Sequence, residues 1–106
     1  MYSIYVDDER APVGQYDAIC RTYDESIKAF RKAYKLGHRH FFLEMDHDSG
    51  QPEKPFIQLL KDIETYVAYG KMRDLDIDIH IHSGNSVGRE NMRAIITHNS
   101  YMYEVI

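Results

Sequence analysis

Strand-like and helix-like segments alternate along the chain, but no helix-like segment lies between the first two strands. Short or alternating apolar runs predict five strands, at residues 2–6, 18–22, 40–45, 75–82 and 101–105. Apolar residues at helical spacing predict three helices, at residues 24–36, about 55–70 and 87–98. The order β-β-α-β-α-β-α-β indicates an α/β domain with a mostly parallel sheet.

The link between the first two strands decides which way the second strand runs. It has about ten residues, which is short for a helical crossover and is typical of a hairpin. A hairpin would place the acidic segments that follow strands one and three at opposite ends of the sheet. Ten extended residues reach about 33 Å, whereas a five-residue strand is about 17 Å long. An extended, helix-free crossover is therefore long enough, and we expect it because it brings these segments together.

The fourth strand, LDIDIHIH, alternates apolar residues with aspartates and histidines. Strands that helices cover on both faces are typically apolar throughout. The alternation therefore indicates a sheet whose helices lie mainly on one face. We expect the other face to be partly open, covered at most by the crossover or by a second subunit in a homodimer.

Composition limits the architecture and the class of ligand. A chain of 106 residues is expected to form a single domain. The net charge of −4 argues against a general nucleic-acid-binding surface, although two arginines could still serve one phosphate. The single cysteine excludes an internal disulfide, and we recognise neither a signal peptide nor a membrane-spanning run, so we expect a cytoplasmic protein.

Polar segments follow three of the predicted strands. They are DDER after the first strand, DHDSG after the third and HSGN after the fourth. Ligands of parallel α/β sheets bind outside the carboxyl ends of the strands. Because the three segments should meet at this edge, they predict a functional site there.

The segments YVDDERAP, LEMDHDSG and IHSGNSVGREN resemble those of the cyclic-phosphate-processing receiver-like domains, a family found in viruses and bacterial conflict systems. The resemblance spans most of the chain. It implies a variant of the response-regulator receiver fold, flavodoxin-like, with strand order 2-1-3-4-5 and without the usual first helix. It also implies action on cyclic phosphates, including those of nucleotides, of ADP-ribose derivatives or of RNA ends.

The receiver pattern implies roles for individual residues. It places Asp7 and Asp8 at the acidic pair that binds Mg²⁺. It places Asp46 at the phosphoacceptor position and Ser83 near the hydroxyl position. The last strand has no lysine for the usual phosphate contact, whereas histidines lie beside the acceptor and hydroxyl positions. These departures favour phosphoester hydrolysis over phosphorelay signalling.

Opening a cyclic phosphodiester needs a general base, a general acid and positive charge at the phosphoryl oxygens. Histidine suits the first two roles because its ordinary pKa is about 6.5. We predict that His47 and His82 take these roles, with Asp46 as a third catalytic residue.

Carboxylates at the strand ends are candidates for a metal site. Mg²⁺ prefers carboxylate and water ligands. The candidate ligands are Asp7, Asp8, Asp46 and Asp48. The alternative is that these side chains orient the histidines and an arginine by hydrogen bonds, with no metal.

Phosphate contacts are expected from arginines and from a helix start. An arginine can clamp a phosphate with two parallel hydrogen bonds, and a surface salt bridge is the alternative role. The loop-to-helix segment SGNSVGRE offers backbone N–H groups, which bind anions. The expected substrate contacts are Arg10, Ser83, Asn85, Gly88 and Arg89.

These features favour a hydrolase, specifically a phosphoesterase that opens a cyclic phosphate of a nucleotide or ADP-ribose derivative. Two other functions remain open. A non-catalytic module that sequesters a phosphorylated nucleotide signal would keep the arginines and the helix start without needing both histidines. A phosphoaccepting receiver would carry an acid-labile phosphate on Asp46.

Overall fold

The computed structural model describes residues 1–46, 53–82 and 86–105 of the chain. The strands within these ranges are β1 Tyr2–Val6, β2 Ala18–Cys20, β3 His40–Met45, β4 Asp76–Ile81 and β5 Tyr103–Val105. The helices there are α1 Tyr23–Lys35, α2 Ile57–Ala68 and α3 Ser86–His98. None of these helices has the length and apolar character that a membrane span requires.

All five strands form one parallel sheet in the order β2-β1-β3-β4-β5. On β1, Tyr5 pairs with Ile19 of β2 on one side and with Glu44 of β3 on the other. Glu44 in turn pairs with His80 of β4. The parallel second strand and the receiver-like α/β fold are therefore confirmed, and the hairpin alternative is wrong.

The segment between β1 and β2 crosses the sheet without a helix or a strand, as expected. Its end is tied to β1, because the Asp17 carboxylate accepts hydrogen bonds from the Ser3 backbone N–H, at 2.8 Å, and from the Ser3 hydroxyl, at 3.1 Å. Tyr16 packs against Tyr5 and Phe42, which lie on the face opposite the helices. We call residues 7–17 the crossover.

The hydrophobic core lies between the sheet and the helices. Strand side chains that point to this face are fully buried: Ile4, Val6, Phe41, Leu43, Met45, Ile77 and Ile79. Helix side chains complete the core: Phe30, Leu59, Leu60, Ile63 and Met92. Helix α2 contacts both α1 and α3, so the three helices form one layer. The opposite face carries the polar side chains of the alternating strands, as predicted.

Local signals at the start and end of α1 explain its bounds. The Thr22 hydroxyl accepts a hydrogen bond from the Glu25 N–H at 3.1 Å and so caps the start of the helix. The Glu25 carboxylate in turn accepts a hydrogen bond from the Arg21 N–H at 2.8 Å. This cap draws residues 21 and 22 out of β2, which is why the strand is shorter than predicted. Gly37 ends the segment with a φ of +105°, a conformation that favours glycine.

Replacement of Phe41 by alanine is expected to lower the free energy of unfolding by about 3–5 kcal/mol, because the ring is fully buried between sheet and helices. Its chain neighbour Phe42 lies half-buried on the opposite face, so Phe42→Ala should cost less than half as much. Urea denaturation of the two variants measures the difference. Equal losses would contradict a core confined to one face of the sheet.

Candidate functional site

The carboxyl ends of β1, β3 and β4 lie side by side and bring together residues from all three polar segments. The sheet hydrogen bonds continue past the strand ends, from the Asp46 N–H to the Val6 carbonyl at 2.8 Å and from the His82 N–H to the Met45 carbonyl at 2.9 Å. Asp7 follows β1 at the same edge. The predicted meeting of Asp7, Asp46 and His82 is thus observed.

The imidazole of His82 lies between two carboxylates. Its Nε2 is 2.9 Å from Oδ2 of Asp7, and its Nδ1 is 2.7 Å from Oε2 of Glu44. Glu44 belongs to β3 and lies one step deeper in the sheet than Asp46, so it was not among the predicted site residues. Nδ1 of His80 lies 2.7 Å from the same Oε2 atom of Glu44. The four side chains form one hydrogen-bonded cluster.

Both ring nitrogens of His82 therefore face hydrogen-bond acceptors. A neutral imidazole has one N–H and can donate only one of these two bonds, whereas the imidazolium donates both. The His82 side chain is 17% exposed, and those of Asp7 and Glu44 are 1% and 15% exposed, so solvent screens these contacts little. The ring of Tyr5 stacks on His82 at 5.4 Å. The two carboxylates and the Tyr5 ring together hold the His82 imidazole in place.

Asp7 is the most buried acid of the cluster. Burial opposes its ionisation, but the N–H groups of Arg10 and Glu9 donate to Oδ1, at 3.0 and 2.8 Å, and His82 binds Oδ2. Together these hydrogen bonds outweigh the burial and place the pKa of Asp7 below its ordinary value of 3.8. Asp7 is therefore an ionised carboxylate that orients His82.

Asp8 and Asp46 lie beside Asp7, with one carboxylate oxygen of each of the three within 4.8 Å of the others. Burial, followed by the charges of Glu9, Asp46 and Asp7, raises the pKa of Asp8 above its ordinary value. A divalent cation would relieve this repulsion, and carboxylate oxygens are the ligands that Mg²⁺ prefers. Three of the four predicted metal ligands therefore lie together, although Asp7 already holds hydrogen bonds on both oxygens.

The loop after β1 is held in shape by an arginine that was not predicted. The guanidinium of Arg21 donates to the Asp7 carbonyl at 2.9 Å and also to the Arg10 carbonyl. Arg10 itself is exposed and lines a cleft together with Tyr5 and His82. The expected phosphate ligand Arg10 thus lies next to the histidine.

The remaining predicted site residues divide into two groups. Gly88 and Arg89 lie in the first turn of α3, the helix that follows the end of β4, as expected. The other group, His47, Asp48, Ser83 and Asn85, lies outside the described residues, and its predicted roles stay predictions.

A protein-family model described as cyclic-phosphate processing receiver domain matches residues 2–98. The match runs from the start of β1 to the end of α3 and includes all three polar segments at the strand ends. No curated protein and no solved structure matches the chain significantly. The family resemblance carried by these segments is confirmed.

Asp7→Asn is expected to lower the free energy of unfolding at neutral pH, because the carboxylate loses its charge-assisted hydrogen bonds. Folding lowers the pKa of Asp7 below its ordinary value of 3.8. Its contribution to the free energy of unfolding is therefore complete above pH 3.8 and is lost as the pH falls through the lower pKa of the folded protein. Urea denaturation of both proteins, from neutral pH to well below 3.8, should show the difference between them shrinking.

The matched control is Asp74→Asn. Asp74 is exposed and has a φ of +60°, which asparagine also tolerates, so its variant should follow the wild type at every pH. A difference between wild type and Asp7→Asn that did not change with pH would contradict the assignment of a lowered pKa to Asp7.

Proposed function

The chain belongs to the cyclic-phosphate processing receiver domains, and from this premise we propose that it hydrolyses a cyclic phosphate of a nucleotide or ADP-ribose derivative. The observation that carries the proposal is the placement of His82 between Asp7 and Glu44, at the carboxyl ends of the strands. A histidine held between two carboxylates beside a cleft is placed to give a proton to a leaving oxygen.

The proposed reaction uses two histidines in opposite roles. Water attacks the phosphorus and gives its proton to His47, the predicted base. One ring P–O bond breaks, and the leaving alkoxide takes a proton from His82, so the product is an acyclic monophosphate. His82 is assigned the transfer because its side chain lines the cleft, beside the Glu44 carboxylate that binds its ring. Asp7 keeps its two backbone hydrogen bonds throughout.

Charge on the phosphoryl oxygens would be met by two segments of the chain. Arg10 lines the cleft next to His82 and has the geometry to hold two phosphate oxygens. The first turn of α3, with Gly88 and Arg89, would offer backbone N–H groups and a second cation. Ser83 and Asn85, which precede this turn, complete the proposed phosphate contacts.

Mg²⁺ is the cation that the neighbouring carboxylates would hold. Asp8 and Asp46 would be its main ligands, with Asp48 as a further predicted ligand, because Asp7 already orients His82. The cation would supply positive charge to the phosphoryl oxygens. The alternative in which these carboxylates act without a metal keeps the same role for Asp7.

His82→Ala is expected to lower kcat for opening a nucleoside cyclic phosphate by about 10²–10⁴-fold, the range for losing a general acid. His98→Ala is the matched control, because His98 is exposed at the far end of α3 and should leave kcat unchanged. The measurement is chromatographic release of the acyclic monophosphate. Tight binding with recovery of unchanged cyclic phosphate would instead indicate a sequestering module.

Glu44→Gln is expected to lower kcat for opening a nucleoside cyclic phosphate, because the neutral amide holds the His82 ring less strongly than the carboxylate does. Steady-state kinetics of the variant check this loss. Glu104→Gln, at an exposed position on β5, should keep the wild-type kcat. A wild-type kcat in Glu44→Gln would exclude Glu44 from positioning His82 for the reaction.

A further inference from the structure

The crossover and the open face of the sheet enclose a cleft of about 290 Å³. Arg10, Glu44 and His82 form its polar part, and Tyr5 and Tyr16 form its aromatic part. Small or apolar crossover residues complete the lining. The cleft is continuous with the proposed catalytic cluster, because His82 and Glu44 belong to both. The proposed hydrolysis assigns no role to the aromatic part.

The rings of His82, Tyr5 and Tyr16 are in contact one after the other, with the Tyr16 ring tilted by 54° against that of Tyr5. The Tyr5 ring lies parallel to the His82 ring, with 10° between their planes and 5.4 Å between their centroids. The ring centroid of Tyr16 lies 5.2 Å from that of Tyr5 and 6.3 Å from that of Phe42. Tyr5 is buried, whereas Tyr16 is only partly covered, so Tyr16 is the aromatic surface that a ligand can contact.

Both phenols stay neutral at physiological pH. Burial raises the pKa of Tyr5 and of Tyr16 above the ordinary value of 10.0. This part of the cleft therefore offers neutral aromatic surface rather than charge. Flat aromatic ligands stack on such surfaces, whereas the anionic part of a ligand is drawn toward Arg10 and His82.

We infer that this cleft binds the aromatic base of a nucleoside cyclic phosphate against Tyr16, an inference that rests on the hydrolytic function proposed above. The Tyr5 ring contacts both Tyr16 and His82, so these two side chains lie about one aromatic ring apart. A single ribose spans such a gap, so the base and the cyclic phosphate belong to the same ribose. In an ADP-ribose derivative, a diphosphate separates the nucleoside from the sugar that carries the cyclic phosphate. With that cyclic phosphate at His82, the base would lie outside the cleft.

The volume of the cleft agrees with a ligand of this size. Sites for small molecules typically have volumes of about 300–1,000 Å³, and this cleft lies just below that range. It therefore suits one base with its ribose rather than a dinucleotide. Specificity would come from the base stack, and the phosphate contacts would serve every cyclic phosphate equally.

The test compares a substrate that has a base with one that lacks it. Adenosine 2′,3′-cyclic phosphate and the 2,3-cyclic phosphate of methyl riboside differ only at the base position. Tyr16→Ala is expected to raise KM for the adenosine substrate about tenfold with little change in kcat, the loss expected for one stacking contact. KM for the methyl riboside substrate should stay at the wild-type value.

Two variants separate stacking from a structural role of Tyr16. Tyr16→Phe keeps the ring and should keep the wild-type KM for both substrates. Tyr69→Ala removes an exposed tyrosine at the end of α2 and should change neither. If Tyr16→Ala raised both KM values equally, the base subsite would be overturned, because the substitution would then act through the shape of the crossover.

Binding of the two products, measured by calorimetry, distinguishes failure of this inference from failure of the proposed hydrolysis. The base subsite predicts that adenosine monophosphate binds about tenfold more tightly than methyl riboside phosphate, and that Tyr16→Ala abolishes this difference. This result supports the base subsite even if neither cyclic substrate is opened. Equal binding of the two products overturns the base subsite, and it leaves hydrolysis standing if both cyclic phosphates are opened.

Discussion

The imidazole of His82 connects three parallel strands, and the geometry of the whole edge depends on this connection. Its two nitrogens bind Asp7, which follows β1, and Glu44, which belongs to β3, while His82 itself follows β4. A shift of one residue in the register between β3 and β4 would place Glu44 and His82 on opposite faces of the sheet and remove one of the two contacts. The hydrogen bonds of the histidine are therefore set by the pairing of the strands.

The one-sided arrangement of the helices makes this cluster accessible. Because α1, α2 and α3 cover a single face, the other face of the sheet can carry ionised side chains and still meet solvent. The crossover then covers part of that face with Tyr16 and leaves a cleft beside His82. The missing helix between β1 and β2 thus creates the cavity in which we place the substrate.

The sequence was sufficient to predict the fold and the meeting of Asp7, Asp46 and His82, because strand direction and two-residue alternation determine which residues share an edge and a face. The contact of Glu44 with His82 could not be predicted in this way, since alternation does not distinguish registers that differ by two residues. The position of Tyr16 could not be predicted from the sequence either, because the crossover has no periodic pattern of apolar residues. The predicted roles of His47 and Asp48 concern residues outside the described ranges.

The placement of His82 between Asp7 and Glu44 is the central claim, and double-mutant cycles on the free energy of unfolding test it most directly. The two contacts predict a coupling free energy of about 0.5–3 kcal/mol for the pair His82 and Asp7 and also for the pair His82 and Glu44. Strictly additive losses in either pair would contradict the account, because His82 would then not connect the two carboxylates.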